Sequence, residues 1–163
     1  MIFVTVGTHE QPFNRLVEYM DKWAERQNEK VVIQTGFSTY IPEHCKYRAL
    51  FSYPDMIKLV DKARIVITHG GPSSFFMPLQ IGKIPIVVPR KVEFHEHVNN
   101  HQVDFCKQVA QRQKNIIVVE DIDGLGDVID EYDQTVERMA NSMTSNNAEF
   151  CRKFEEMVWQ LLE

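Results

Sequence analysis

Six short runs rich in Val and Ile, each apolar at consecutive positions, alternate with longer stretches of helical periodicity, and this alternation constrains the chain more than any other feature. The runs are Ile2 to Val6, Val31 to Gln34, a weaker one from Arg48 to Tyr53, Arg64 to Thr68, Ile84 to Val88, and Ile116 to Val119. Strands apolar on both sides belong to sheets covered on both faces, which are usually parallel. Between the runs, Phe13 to Arg26, Asp55 to Ala63, Pro72 to Ile81, Glu96 to Gln111 and Ile122 to Met139 read as helical. Asn147 to Leu162 closes the chain with Phe150, Phe154, Met157, Val158 and Leu161 at helical spacing. Phe150, Phe154 and Trp159 there read as core or docking surface. This order predicts an α/β fold, a Rossmann-like parallel sheet of about six strands with helices on both faces. The 163 residues suit one domain spanning 1–163. Ligands of such sheets bind at the carboxyl ends of the strands, near a topological switch point.

The loops at those ends hold the unusual residues. After the fourth run comes His69-Gly70-Gly71-Pro72-Ser73-Ser74. Two glycines permit a sharp turn and close approach of a ligand, and Pro72 suits a first helical position. The N–H groups of Ser73 and Ser74 at a helix start, with their hydroxyls, suit a phosphate. After the first run, Gly7 and Thr8 suit a second backbone contact, and His9 and Glu10 are titratable groups placed as a general base needs to be. After the fifth run, Glu96, His97, His101 and Gln102 lie in a segment dense in hydrogen-bonding side chains, as recognition of a hexose requires. His97 and His101 are four apart, but the order is not HExxH and no thiol is near, so no metal is expected. Tyr53 lies on the same rim, in a segment where a base could stack or bond; plain core packing of Phe51 and Met56 is the alternative reading.

Composition removes several alternatives. A net charge of -5 argues against a nucleic-acid binder. Cys45, Cys106 and Cys151 are scattered, with no CxxC pair, and read as reduced thiols of a cytoplasmic chain. The opening MIFVTVGT has no basic leader, and no apolar run approaches the roughly 20 residues that span a bilayer. Work at a membrane is therefore expected through a surface contact or a partner. No GxGxxG follows the first run, which disfavours an NAD-dependent enzyme.

VTVGT, the strand ending in HGGPSS, GKIPIVVPR and EHVNNHQ, in that order and spacing, resemble the C-terminal domain of glycosyltransferase family 28 over roughly the whole chain. The likeness is strongest to small bacterial capsule and exopolysaccharide subunits and to the small subunit of the split eukaryotic UDP-N-acetylglucosamine transferase. The resemblance implies the donor-binding half of a GT-B enzyme. Gly7, Thr8, Gly70, Gly71, Ser73 and Ser74 would hold the diphosphate of a UDP-sugar, with His69 in the same loop. Tyr53 would lie near the uracil, and Glu96, His101 and Gln102 near the donor sugar. Family members often bind the ribose through an acidic residue on the helix after the glycine loop, where this chain has Met77. Half a cleft cannot place an acceptor. The resemblance therefore implies a membrane-associated partner subunit that binds a lipid-linked saccharide acceptor, a location at the inner face of the membrane, and room for self-association. The expected reaction is an inverting, metal-independent transfer, with His9 or Glu10 as the base and no cofactor. A non-catalytic enhancer subunit and a UDP-sugar epimerase or hydrolase are the rival readings. Replacement of Gln102 by alanine would spare UDP binding if that residue touches only the sugar.

Overall fold

The computed structural model describes residues 1–140 and 147–162. Its strands are β1 (Ile2–Thr5), β2 (Val31–Gln34), β3 (Lys46–Arg48), β4 (Ile65–His69), β5 (Ile86–Val88) and β6 (Ile117–Val118). They form one sheet in the order β3-β2-β1-β4-β5-β6, every pair parallel. The register aligns Thr5 with Gln34 on one side and with Thr68 on the other. Strand order reverses between β1 and β4, so the switch point lies between the loops that carry Gly7 and Gly70.

Side-chain alternation decides which helix covers which face. Ile2, Val4, Ile33, Ile65, Ile67, Ile86 and Val88 point to one side, where they meet α1 (Asn14–Glu25) and α5 (Leu125–Asp130) through Leu16, Met20, Trp23, Leu125 and Ile129. Tyr132, at the start of α6 (Tyr132–Ala140), joins this cluster and donates its hydroxyl to Ile84 O at 2.6 Å. Phe3, Val32 and Val66 point to the other side, under Val60 of α2 (Tyr53–Lys62). Val87 on that side packs with Phe75 of α3 (Pro72–Gln80) and Cys106 of α4 (His101–Gln113). The closing helix is α7 (Asn147–Leu162); Phe154 and Trp159 on it are exposed, and the side chains of Phe150 and Leu161 lie outside the described residues. Among the described residues, no helix is long and apolar enough to cross a membrane.

Three boundaries differ from the sequence expectation. The third strand comes earlier, and the segment expected to extend it starts a helix instead. Ser52 Oγ accepts from Asp55 N at 3.3 Å and Pro54 sits in the first turn, so helix capping takes over at Tyr53. The fourth helix begins five residues later than Glu96, at His101. A 3₁₀ turn over Val92–Phe94 ends at His95, whose φ is 57°, and the Glu96 side chain is drawn inward. The segment from Ile122 divides into a 3₁₀ turn, α5 and α6.

Candidate functional site

At the carboxyl ends of β1 and β4 lies a cleft of about 840 Å³. Gly7, Thr8, His9, Tyr53, His69, Ser73 and Ser74 line it, together with Met77 and Gln80 of α3. Glu10, Gly70, Gly71, Glu96, His101 and Gln102 do not line it.

His69 organises the glycine loop. As the last residue of β4 it is 8% exposed. Its Nδ1 accepts from Gly71 N at 3.1 Å. A nitrogen that accepts carries no proton, so the proton of the neutral ring is on Nε2, which lies 2.9 Å from Ser74 Oγ and donates to it. Burial first, and then the charge of Arg90, pushes the imidazole down to about 4, so it stays neutral at physiological pH. Ser74 Oγ therefore accepts from the ring, so its own hydrogen is not spent on His69 and is left to donate.

The glycines serve this ring. A Cβ on Gly7, whose φ is +76°, would lie 2.3 Å from His69 Nε2, and one on Gly71 would lie 2.2 Å from Cε1. The room expected for a ligand at these two positions is occupied by the imidazole. The donor set at the start of α3 is also smaller than expected, because Ser74 N bonds Gly71 O at 3.0 Å. Ser73 and Ser74 both line the cleft there, and the N–H of Ser73 and the two hydroxyls are the donors this helix start has to offer.

The loop after β5 is built as a brace. Gln102 is buried, and its Oε1 accepts from Gly70 N at 3.1 Å and Arg90 N at 3.2 Å, tying the loops after β4 and β5 together. Arg90 is fully buried. Its guanidinium donates to Val6 O at 2.8 Å, Gln11 O at 2.8 Å and Glu96 O at 3.0 Å, and its ring-face partner is Phe13. Burial lowers it to about 10, which leaves it charged at neutral pH. Glu96, expected near the sugar, is held by Arg15 in a two-pronged pair at 2.9 Å and 2.9 Å, and accepts from Lys91 N. His9, His97 and His101 lie in a row, with ring centroids 4.7 and 4.4 Å apart, the first pair tilted and the second edge-on. His9 Nδ1 accepts from Gln11 N, and His101 pairs with Asn99. Burial, then His101, lowers His97. No cluster of three or more His, Cys, Asp or Glu among the described residues is arranged to hold a metal ion.

Sequence reasoning missed Arg90 and Arg15 as braces, because nothing in a lone arginine announces carbonyl partners, most of them contributed by the distant loop after β1. It also missed Gln80, whose position one turn after Met77 was the available signal. Thr5 and Gln34 form the floor, with Gln34 Nε2 donating to Thr5 Oγ1 at 3.1 Å and Phe51 N donating to Gln34 Oε1 at 3.1 Å.

The model of the glycosyltransferase family 28 C-terminal domain matches residues 1–158. The chain belongs to this family. Among curated relatives, the human UDP-N-acetylglucosamine transferase subunit ALG13 is 31% identical over 119 residues, 66% of this chain and 10% of that protein. Its namesake from Yarrowia lipolytica is 31% identical over 77 residues, 47% of this chain and 37% of that protein. Among solved structures, the glycotransferase of kitacinnamycin superposes with a TM-score of 0.60 at 16% identity, over 86% of this chain and 37% of that one, a likeness of fold. The family domain thus spans much less than half the length of the relatives it matches.

Proposed function

We propose that this family 28 domain is the donor-binding, catalytic subunit of a two-component inverting glycosyltransferase. It takes a hexose or N-acetylhexosamine from a UDP-sugar and delivers it to a lipid-linked saccharide held by a membrane-associated partner, as in capsule or exopolysaccharide synthesis. The observation that carries this reading is the neutral His69, which fixes Ser74 Oγ as a hydrogen-bond donor beside Ser73 at the start of α3, inside the switch-point cleft. Those donors and the helix dipole suit the diphosphate. Negative charge on the leaving UDP grows as the glycosidic bond breaks, so donors aimed there stabilise the transition state more than the bound donor. Tyr53 on the rim is assigned to the uracil. Gln80 takes the ribose hydroxyls in the place of the acidic residue that Met77 replaces. His9 lines the cleft and is the assigned base; Glu10, which does not line it, is the lesser candidate. Two relatives are subunits of a UDP-N-acetylglucosamine transferase by name, so that nucleotide sugar is the first to test.

Calorimetric titration with UDP, and with ADP, GDP and CMP as controls, tests the reading. Selective binding of UDP, even at a Kd of roughly 0.1–1 mM, supports a donor subunit. A folded chain that binds none of the four refutes a preformed donor site.

A further inference from the structure

A second groove, of about 670 Å³, runs between the edge strand β3 and α2. Lys30, Lys46, Arg48, Lys58 and Lys62 surround it, all exposed, with Asp55 the one carboxylate in its lining. None of these five cations is in an ion pair among the described residues. Asp55 forms no ion pair with any of them among the described residues, and its Oδ2 accepts from Ser52 Oγ at 2.7 Å at the start of α2. Five cations and one carboxylate give the groove +4 in a chain of net charge -5, so the remainder of the molecule carries -9. Such a separation of charge orients a molecule against an anionic surface.

The floor is apolar. Val32, Phe51 and Leu59 line it, and Tyr47 stands 45% exposed at its side. Cationic heads on long alkyl stems above an apolar floor, with a tyrosine alongside, match the boundary of a bilayer, where headgroup phosphates overlie glycerol and the first acyl carbons. Four of the five cations are lysines. Lysine acts as a mobile point charge, whereas an acidic protein segment is more often gripped by the bidentate fork of arginine. Lys46 and Arg48 on the open edge of β3 also oppose addition of a further strand.

We propose that this groove docks the chain on a membrane through the phosphate headgroups of anionic phospholipids. Phe51 lines both the groove and the cleft at the switch point, so docking holds the mouth of the cleft beside the lipid plane. The groove stands on its own geometry and charge. Only the benefit to a lipid-linked acceptor rests on the donor-subunit reading.

The test is co-sedimentation of the full chain with phosphatidylcholine vesicles, with and without phosphatidylglycerol. Binding is expected only where phosphatidylglycerol is present, and is expected to disappear in about 0.5 M salt. Lys58→Gln with Lys62→Gln replaces two exposed α2 residues by a good helix former and is expected to weaken binding about 25-fold, roughly fivefold per cation. Affinity for UDP should be unchanged in that variant, which separates failure of the groove from failure of the donor site. If the α2 pair melts early, Lys46→Gln with Arg48→Gln carries the same expectation. Equal binding to neutral vesicles, or binding insensitive to these substitutions, overturns the proposal. So does binding of a polyglutamate peptide with no binding to anionic vesicles, which would assign the groove to an acidic protein segment.

Discussion

Ser74 and His69 are the residues on which the site turns. A hydroxyl donating to a phosphate is a hydrogen bond to a charged group, with a net contribution of about 1.5–3 kcal/mol. Ser74→Ala should therefore weaken UDP binding by tenfold or more in calorimetry while leaving the melting temperature within a few degrees. Unchanged affinity would remove the hydroxyl from the diphosphate site. For His69 the folded state holds the neutral ring, lowering its value from 6.5 to about 4. Stability tied to that ring is complete above pH 6.5 and is lost as pH falls toward 4, by about 3 kcal/mol at about 1.4 kcal/mol per unit. Urea midpoints measured across this window should fall more steeply for the native chain than for His69→Asn. Parallel slopes would mean that the imidazole is not buried as a neutral group. His69 was legible in the sequence as part of the glycine loop after β4. Its tautomer was not, because that depends on a backbone N–H two residues on and a hydroxyl five residues on, both placed by the start of α3.

At the level of elements, the central strands β1, β2 and β4 were legible because burial on both faces writes itself as continuous Val and Ile. The edge strand β3 was not. It pairs on one side only, its three residues are exposed, and its composition is Lys-Tyr-Arg. The start of α4 was misplaced for a related reason: Glu96 resembles a helix-start residue until Arg15, 81 positions away, claims its carboxylate. Gln102 illustrates the same limit. Its place in the chain suits contact with a sugar, yet its oxygen joins the loops after β4 and β5. Gln102→Ala strands the N–H groups of Gly70 and Arg90, at a cost of about 1–3 kcal/mol each. UDP affinity and thermal stability should then fall together. A variant that keeps full UDP affinity but loses transfer would return Gln102 to the sugar.

For the whole molecule, the cleft is lined from β1, β2, β4, α2, α3 and the loops beside them, and on the proposed function it would be one wall of a reaction chamber. Binding and turnover should therefore separate. UDP should raise the melting temperature of the isolated chain in proportion to the logarithm of its concentration, whereas sugar transfer should appear only when an acceptor-binding component is added. Transfer by the isolated chain would show that the visible wall is sufficient. A melting temperature indifferent to UDP would separate this domain from the donor.

The imidazole of His69 lies between two backbone positions that meet only in the folded chain, one in the loop after β1 and one after β4. Gly7 is constrained twice, by its positive φ and by the ring. Gly71 has φ -77° and ψ 128°, a conformation open to alanine, so the ring alone keeps it bare. Positions 7, 69 and 71 are consequently coupled sterically, so a change at one bears on what the others can hold. A descendant that exchanged the histidine for a small residue would release position 71 to drift, and would leave position 7 a glycine still.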